Sequence, residues 1–189
     1  MSPRRAAFLD RDGVINRVRV CGGVTHPPRG LDELELLPGV EDAARRLSAL
    51  GLKLIVVTNQ PDVARGTQTR AAVEAINRAL RDRLPLDDVV CCYHDNDDDC
   101  PCRKPRPGML LDAAARHGVD LGGSVMVGDR WSDVVAGRAA GCLSVLVSGP
   151  YSRAHLCRPD LVATGLPDAV DQIARTLPTP PPTPATATR

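Results

Sequence analysis

Short apolar runs alternate along this chain with longer stretches in which apolar residues recur every three or four positions. The runs Ala6-Ala7-Phe8-Leu9, Leu54-Ile55-Val56-Val57, Ser124-Val125-Met126-Val127 and Ser144-Val145-Leu146-Val147 carry no charge and are too short for helices, as expected of strands covered on both faces. A late run, Asp160-Leu161-Val162, supplies a further strand. Residues 41–50 and 70–84 have the spacing of amphipathic helices, while 111–117 and 134–140 read as helices that close at Gly118 and Gly141. Strand and helix in alternation predict an α/β fold: a doubly wound, Rossmann-like parallel sheet with helices on both faces.

Two segments fall outside that alternation. Residues 16–37, with Gly22-Gly23 and Pro27-Pro28, read as an irregular loop. From Leu177 onward Pro, Thr and Ala dominate, so residues 178–189 are expected to form a disordered tail behind a single domain at 1–177. A length of 189 residues suffices for one real core. The net charge of +1 and an aromatic content of 2% argue against a nucleic-acid binder held by bulk electrostatics or base stacking. No apolar run approaches the length of a membrane span, and the N-terminal residues run straight into the first strand rather than forming a removable signal. The expectation is a cytoplasmic monomer with no membrane or nucleic-acid partner, its spare cysteines reduced.

Chemistry enters at the strand ends, where open α/β sheets bind their ligands. Asp10 and Asp12 follow the first strand at a spacing that points both side chains the same way, and Gly13 permits a tight turn out of the sheet. One such carboxylate can attack an electrophile while its neighbour handles the proton; the plain alternative is a solvated acidic turn. Thr58, Asn59 and Gln60 place small polar donors, able to hold phosphoryl oxygens, after the second strand. In Cys102-Arg103-Lys104-Pro105-Arg106-Pro107-Gly108 the prolines keep the backbone out of a helix while cations are presented. Gly128-Asp129-Arg130-Trp131-Ser132-Asp133 is acidic again after the third. An acid pair, a hydroxyl, a lysine and distal acids in this order are more than four unrelated loops would give.

The order resembles the four motifs of the haloacid dehalogenase superfamily, in its capless phosphatase branch, over residues 8–150. That resemblance implies the superfamily's fold and a Mg²⁺-dependent phosphomonoesterase that works through an aspartyl-phosphate. It makes Asp10 the nucleophile, Asp12 the general acid and base, Thr58 a phosphoryl ligand and Lys104 the counter-charge. Asp129 would ligate Mg²⁺ together with Asp10 and the Asp12 backbone carbonyl, with Asp133 supporting that site. The chemistry agrees, because an anionic nucleophile reaches a phosphate monoester only where cations offset the repulsion.

Cys92-Tyr93-His94 and Cys100-Pro101-Cys102 bring four nitrogen and sulfur ligands together across a short acidic loop, a set suited to tetrahedral Zn²⁺. Free cysteine is usually buried, and so polar a loop would bury nothing. A closed site beside Lys104 would be structural and would pin the lysine loop; Asp97, Asp98 and Asp99 read as solvated. This zinc-bearing loop followed by Cys102-Arg103-Lys104-Pro105 resembles the D-glycero-D-manno-heptose 1,7-bisphosphate 7-phosphatases of nucleotide-heptose biosynthesis and the related histidinol-phosphate phosphatases. Pro107-Gly108-Met109 and Val63-Ala64-Arg65-Gly66 lean toward the heptose enzymes, whereas Tyr93, Asp95 and the short 94–100 loop depart from them. The resemblance implies a small phosphorylated sugar as substrate. A bisphosphate needs cations beyond the reacting centre. Arg65, Arg103, Arg106 and Arg130 lie beside the motifs, and Arg103 and Arg130, flanking Lys104 and Asp129, are the preferred pair. Val24, Thr25 and Arg29 are candidates for sugar contacts. Histidinol phosphate or another small sugar phosphate stays open as substrate; a non-catalytic zinc module docking through its tail is disfavoured by the intact motifs.

Overall fold

A computed structural model describes residues 4–177, and the 178–189 tail lies outside them. In chain order the elements are β1 (Arg5–Leu9), a hairpin of β2 (Arg19–Cys21) and β3 (Val24–His26), α1 (Val40–Ala49), β4 (Leu52–Asn59), α2 (Arg70–Arg83), β5 (Asp88–Cys92), α3 (Gly108–His117), β6 (Val125–Gly128), α4 (Trp131–Ala139), β7 (Leu143–Val147), β8 (Leu161–Ala163) and α5 (Leu166–Thr176). Six strands form one all-parallel sheet in the order β5-β4-β1-β6-β7-β8.

Burial on both faces explains why the strand runs lack a polar alternation. In β1, Ala7 and Leu9 enter one apolar cluster while Ala6 and Phe8 enter the other; Leu54 and Val56 oppose Ile55 and Val57 in the same way along β4. Leu47, Ile76 and Ile173 close the first cluster from α1, α2 and α5. Leu110 and Ala136 close the second from α3 and α4. From β1 the chain winds outward to β4 and β5, then crosses back to β6, β7 and β8. The winding reverses beside β1, so the C-terminal ends of β1 and β6 border the crevice where such sheets bind ligands.

The expected strands and helices are present; β5 is an edge strand that no expected run covered, α3 starts at Gly108 rather than at residue 111, and three further differences have clear physical causes. Residues 16–37 are not irregular throughout, because Gly22 and Gly23 take φ of 57° and 77° and close the β2–β3 hairpin, the positive pair that a two-residue turn requires. Helix α4 begins at Trp131, ahead of the apolar periodicity, because the Asp133 carboxylate accepts from the Arg130 amide and caps it at 2.9 Å. Helix α5 was legible in Leu166, Ala169, Val170 and Ile173, all buried, although only the strand before it was anticipated.

Gly137 in α4 has no room for a side chain, since a Cβ there would lie 2.6 Å from the Cβ of Met126 in β6. In an exposed helix, alanine for glycine gains about 1 kcal/mol. Gly137→Ala should reverse that sign and lower the melting temperature, because wedging α4 off the sheet costs roughly 1–3 kcal/mol. A thermal melt at or above that of the unmodified protein would contradict this packing.

Candidate active site

Six segments among the described residues meet over the C-terminal edge of the sheet around a cavity of about 590 Å³. Asp10, directly after β1, lies 3.0 Å from the Lys104 ammonium, which also sits 2.6 Å from Asp133 and donates to the Val57 carbonyl at 2.8 Å. Asp129, after the neighbouring strand β6, completes a cluster in which carboxylate oxygens of Asp10, Asp129 and Asp133 lie within 4.8 Å of one another. All four side chains are buried. Gly13 makes the approach possible: its φ is +91°, and a Cβ there would fall 2.0 Å from Asp129 Oδ2.

Three carboxylates against one ammonium leave two negative charges in a buried space. Burial raises Asp10 to about 6, with Lys104 opposing and Asp133 and Asp12 adding to the rise. Asp129 is pushed well up, first by burial and then by the charges of Asp10 and Asp133. Burial disfavours the Lys104 cation, but Asp10 and Asp133 outweigh it and hold the group protonated. Neither carboxylate oxygen of Asp129 is in hydrogen-bond geometry with a protein donor, although the Tyr151 phenol lies close enough to feel its charge. Two buried, unpartnered acceptors in an over-acidic cluster are the donor set of a hard divalent cation, and Asp10 with Asp129 could hold Mg²⁺. Asp133 is spent on Lys104 and on the α4 cap, which suits it to supporting those ligands.

Asp12 shares the cavity but not the cluster. Its carboxylate accepts from Arg11 Nε and Nη2 at 3.2 and 3.0 Å, from Asn16 at 2.9 Å and from Gln60 at 2.7 Å. Burial pushes it up, yet the Arg11 charge and these donors prevail and leave it below the ordinary carboxylate range. Arg11 is itself fully buried and donates onward to Asn77 of α2 at 3.1 Å. Its position between the two aspartates was the available signal, and sequence reasoning passed over it. Tyr151, also missed, follows β7 at the same sheet edge and lines the cavity; burial and then the Asp129 charge push its phenol up to about 12.

Thr58, Asn59 and Gln60 all line the cavity, with different commitments. The Thr58 hydroxyl accepts from Gln60 at 3.0 Å. Asn59 clasps the Lys104 backbone at both ends, donating to its carbonyl at 3.0 Å and accepting from its amide at 3.1 Å. With its amide so used, Asn59 positions the lysine loop, and Gln60 positions Asp12. Val24 and Thr25 of the hairpin reach the cavity, whereas Arg29 does not line it and lends its carbonyl to Gln68 instead.

Beside this cavity, Cys92, His94, Cys100 and Cys102 converge. Sulfur to sulfur distances are 3.2, 3.4 and 3.7 Å, and His94 Nδ1 lies 3.5 and 3.3 Å from Cys92 and Cys102. Tetrahedral zinc, with Zn–S near 2.3 Å, sets its ligands about 3.5–3.8 Å apart, so the group fits with minor adjustment. Burial pushes the Cys92 thiol up, and a metal's charge is what would draw off its proton. Cys91 faces away and accepts from Asn77 at 3.2 Å. The acidic run contributes no ligand: residues 96–98 form a single exposed turn capped by Asp95. Arginines tie this loop down. Arg65 makes two 2.6 Å bonds to Asp95, Arg103 donates to Asn96 at 2.9 Å and to the His94 carbonyl at 3.2 Å, and Arg106 pairs with Asp99 and donates to the Cys100 carbonyl at 2.7 Å. Arg130 contacts the Thr25 hydroxyl and so joins α4 to the hairpin.

Known proteins resemble this chain in sequence and in fold. Residues 101–169 match the Hydrolase_like family model, described as HAD-hydrolase-like. The D-glycero-β-D-manno-heptose-1,7-bisphosphate 7-phosphatase of Pseudomonas aeruginosa is 40% identical over 149 residues, which is 76% of this chain and 81% of that protein. The enzyme of the same name from Escherichia coli strain K12 is 42% identical over 147 residues, covering 71% and 74%. Among solved structures, D,D-heptose 1,7-bisphosphate phosphatase from B. bronchiseptica, complexed with magnesium and phosphate, superposes with a TM-score of 0.78 at 34% identity over 90% of this chain and 98% of that one.

Two metal requirements follow. Elemental analysis of the purified protein should find about one zinc per chain, and Cys100→Ser should lose both the zinc and thermal stability. A zinc-free protein whose melting ignores Cys100→Ser would return these thiols to ordinary cysteines. Dialysed protein that keeps its zinc should still require added Mg²⁺ for phosphatase turnover, because a cation held by one or two carboxylates leaves readily.

Proposed function

This chain belongs to the haloacid dehalogenase-like hydrolases, in the D-glycero-D-manno-heptose 1,7-bisphosphate 7-phosphatase family, and from that membership we propose that it removes the 7-phosphate of D-glycero-β-D-manno-heptose 1,7-bisphosphate. The observation that carries the reading is the Asp10 carboxylate facing the Lys104 ammonium at 3.0 Å amid two further buried carboxylates. Nucleophile and counter-charge are thus held together before any substrate enters. Asp10, Asp129 and the Asp12 carbonyl would hold Mg²⁺, whose charge would offset the repulsion between a phosphate dianion and a carboxylate.

Asp10 attacks phosphorus, forming the aspartyl-phosphate and breaking the bond to the sugar's 7-oxygen. Asp12 gives that oxygen its proton, then takes one from the water that attacks phosphorus in the second step. Inorganic phosphate leaves and Asp10 is regenerated. Thr58 holds phosphoryl oxygens, and Lys104 offsets their charge in both steps. The donors around Asp12 favour its ionised form, the form the second step needs. Arg103 and Arg130, whose protein partners are neutral, keep their charge available for the second phosphate, whereas Arg65 is neutralised by Asp95. Cys92, His94, Cys100 and Cys102 would hold a structural zinc. No helix among the described residues is long and apolar enough to cross a membrane. We read the protein as a cytoplasmic monomer; a native mass near 20.1 kDa in sedimentation would support the monomer and a doubled mass would refute it.

Asp10→Asn should abolish turnover while leaving the melting temperature near that of the unmodified protein, since only the attacking charge is lost. Asp12→Asn should slow turnover by about 10²–10⁴-fold, the usual worth of a positioned acid and base. Activity surviving in Asp10→Asn would end the covalent mechanism. A substrate comparison that ranks histidinol phosphate or fructose 1,6-bisphosphate above the heptose bisphosphate would displace the substrate and spare the chemistry.

A further inference from the structure

Five cationic side chains line the cavity among the described residues: Arg65, Arg103, Lys104, Arg130 and Arg153. Four of them already have partners. Lys104 pairs with Asp10 and Asp133, Arg65 with Asp95, Arg103 holds Asn96 and the His94 carbonyl, and Arg130 holds Thr25. The Arg153 guanidinium has none, and the residue is exposed at the cavity rim.

Its backbone is equally unusual. Arg153 takes φ 51° and ψ 46°, the left-handed region that glycine or asparagine enters with least strain. The turn that imposes this conformation is firmly built. Ser152 is buried; its hydroxyl accepts from the Gly149 amide at 2.7 Å and donates to the Val147 carbonyl at 3.3 Å, while its own carbonyl accepts from the Trp131 amide at 3.0 Å. The segment after β7 is thereby fastened to the first residue of α4, two positions beyond Asp129. Surface charge alone gives no reason for an arginine at a strained position so firmly placed. Strain of this kind persists where a site needs the side chain there.

Resting on the bisphosphate reading above, we propose that Arg153 is a specificity-determining residue that binds the non-reacting phosphate of the substrate. An uncommitted guanidinium offers a phosphate a bidentate pair of N–H donors without breaking a protein contact. Arg103 and Arg130 must share their donors with the zinc loop and the hairpin. Lys104 is engaged at the reacting centre. Arg153 therefore supplies the site's free fork, and a substrate bearing one phosphate makes no use of it.

Steady-state kinetics on Arg153→Ala, Arg153→Gly and Arg153→Lys, with heptose 1,7-bisphosphate and with p-nitrophenyl phosphate, test the assignment. For the alanine and glycine variants, kcat/KM should fall about tenfold further on the bisphosphate than on the monophosphate, chiefly through KM, and lysine should recover part of the loss. Arg153→Gly should melt no lower than the unmodified protein, because glycine relieves the left-handed backbone, so its kinetic loss cannot be blamed on misfolding. Equal losses on both substrates, or an unmoved bisphosphate KM in Arg153→Gly, overturn the role of Arg153 and leave the proposed function standing. An unmodified enzyme that shows no preference for the bisphosphate overturns that function and this inference with it.

Discussion

Everything at the sheet edge answers to one electrostatic constraint: three buried carboxylates share their space with a single ammonium. Such a cluster is unfavourable unless cations complete it, and its deficit of two charges matches one divalent ion. Fold topology creates the crowding, because β1 and β6 are neighbours and each hands an aspartate to the same crevice. Lys104 must then arrive from a third direction, the loop between β5 and α3, and be held there against its own cost of burial.

That requirement makes sense of the zinc loop. Residues 93–107 contain no strand and little apolar matter, so packing alone cannot fix them. Cys102 lies two residues before Lys104, and the Asn59 clasp on the Lys104 backbone ties the other side of the loop to β4. Three arginines add exposed ion pairs and carbonyl contacts, each worth little singly in water. With a zinc ion held by Cys92, His94, Cys100 and Cys102, coordination and the clasp would be the dominant restraints, and the arginine contacts would refine the loop's shape around the cavity rim.

The sequence was informative where chemistry is local and silent where it depends on long-range placement. Asp10 and Asp129 directly follow strand runs, so their convergence was legible in the sequence, whereas Lys104, on the long loop after β5, was placed by the family resemblance; the four candidate zinc ligands stand out by residue type. The doubly wound sheet was legible because strands buried on both faces have no other pattern. Arg11 was not, since a fully buried guanidinium between two acids is visible only once Asn77 of α2 is seen to receive it. Nor could Asn59 be told from a phosphate ligand, because its partner lies 45 residues away. The hairpin was obscured by its shortness, although Gly22-Gly23 carried the turn chemistry. Arg153 escaped notice because left-handed backbone at an arginine has no signature in composition or period.

Two aspartates two residues apart end in opposite surroundings, and this separation is what allows them different work. Asp10 stands among like charges, so its ionised form depends on Lys104 and on a cation, the same groups that an incoming phosphate needs. Asp12 stands among donors from Arg11, Asn16 and Gln60, so its ionised form is secured by the protein alone. A bound cation therefore shifts the balance at Asp10 far more than at Asp12. With Asp10 as the proposed nucleophile and Asp12 as the proposed acid and base, substrate, metal and nucleophile charge would be settled together at one carboxylate, while the other would keep its proton chemistry insulated from them two residues away.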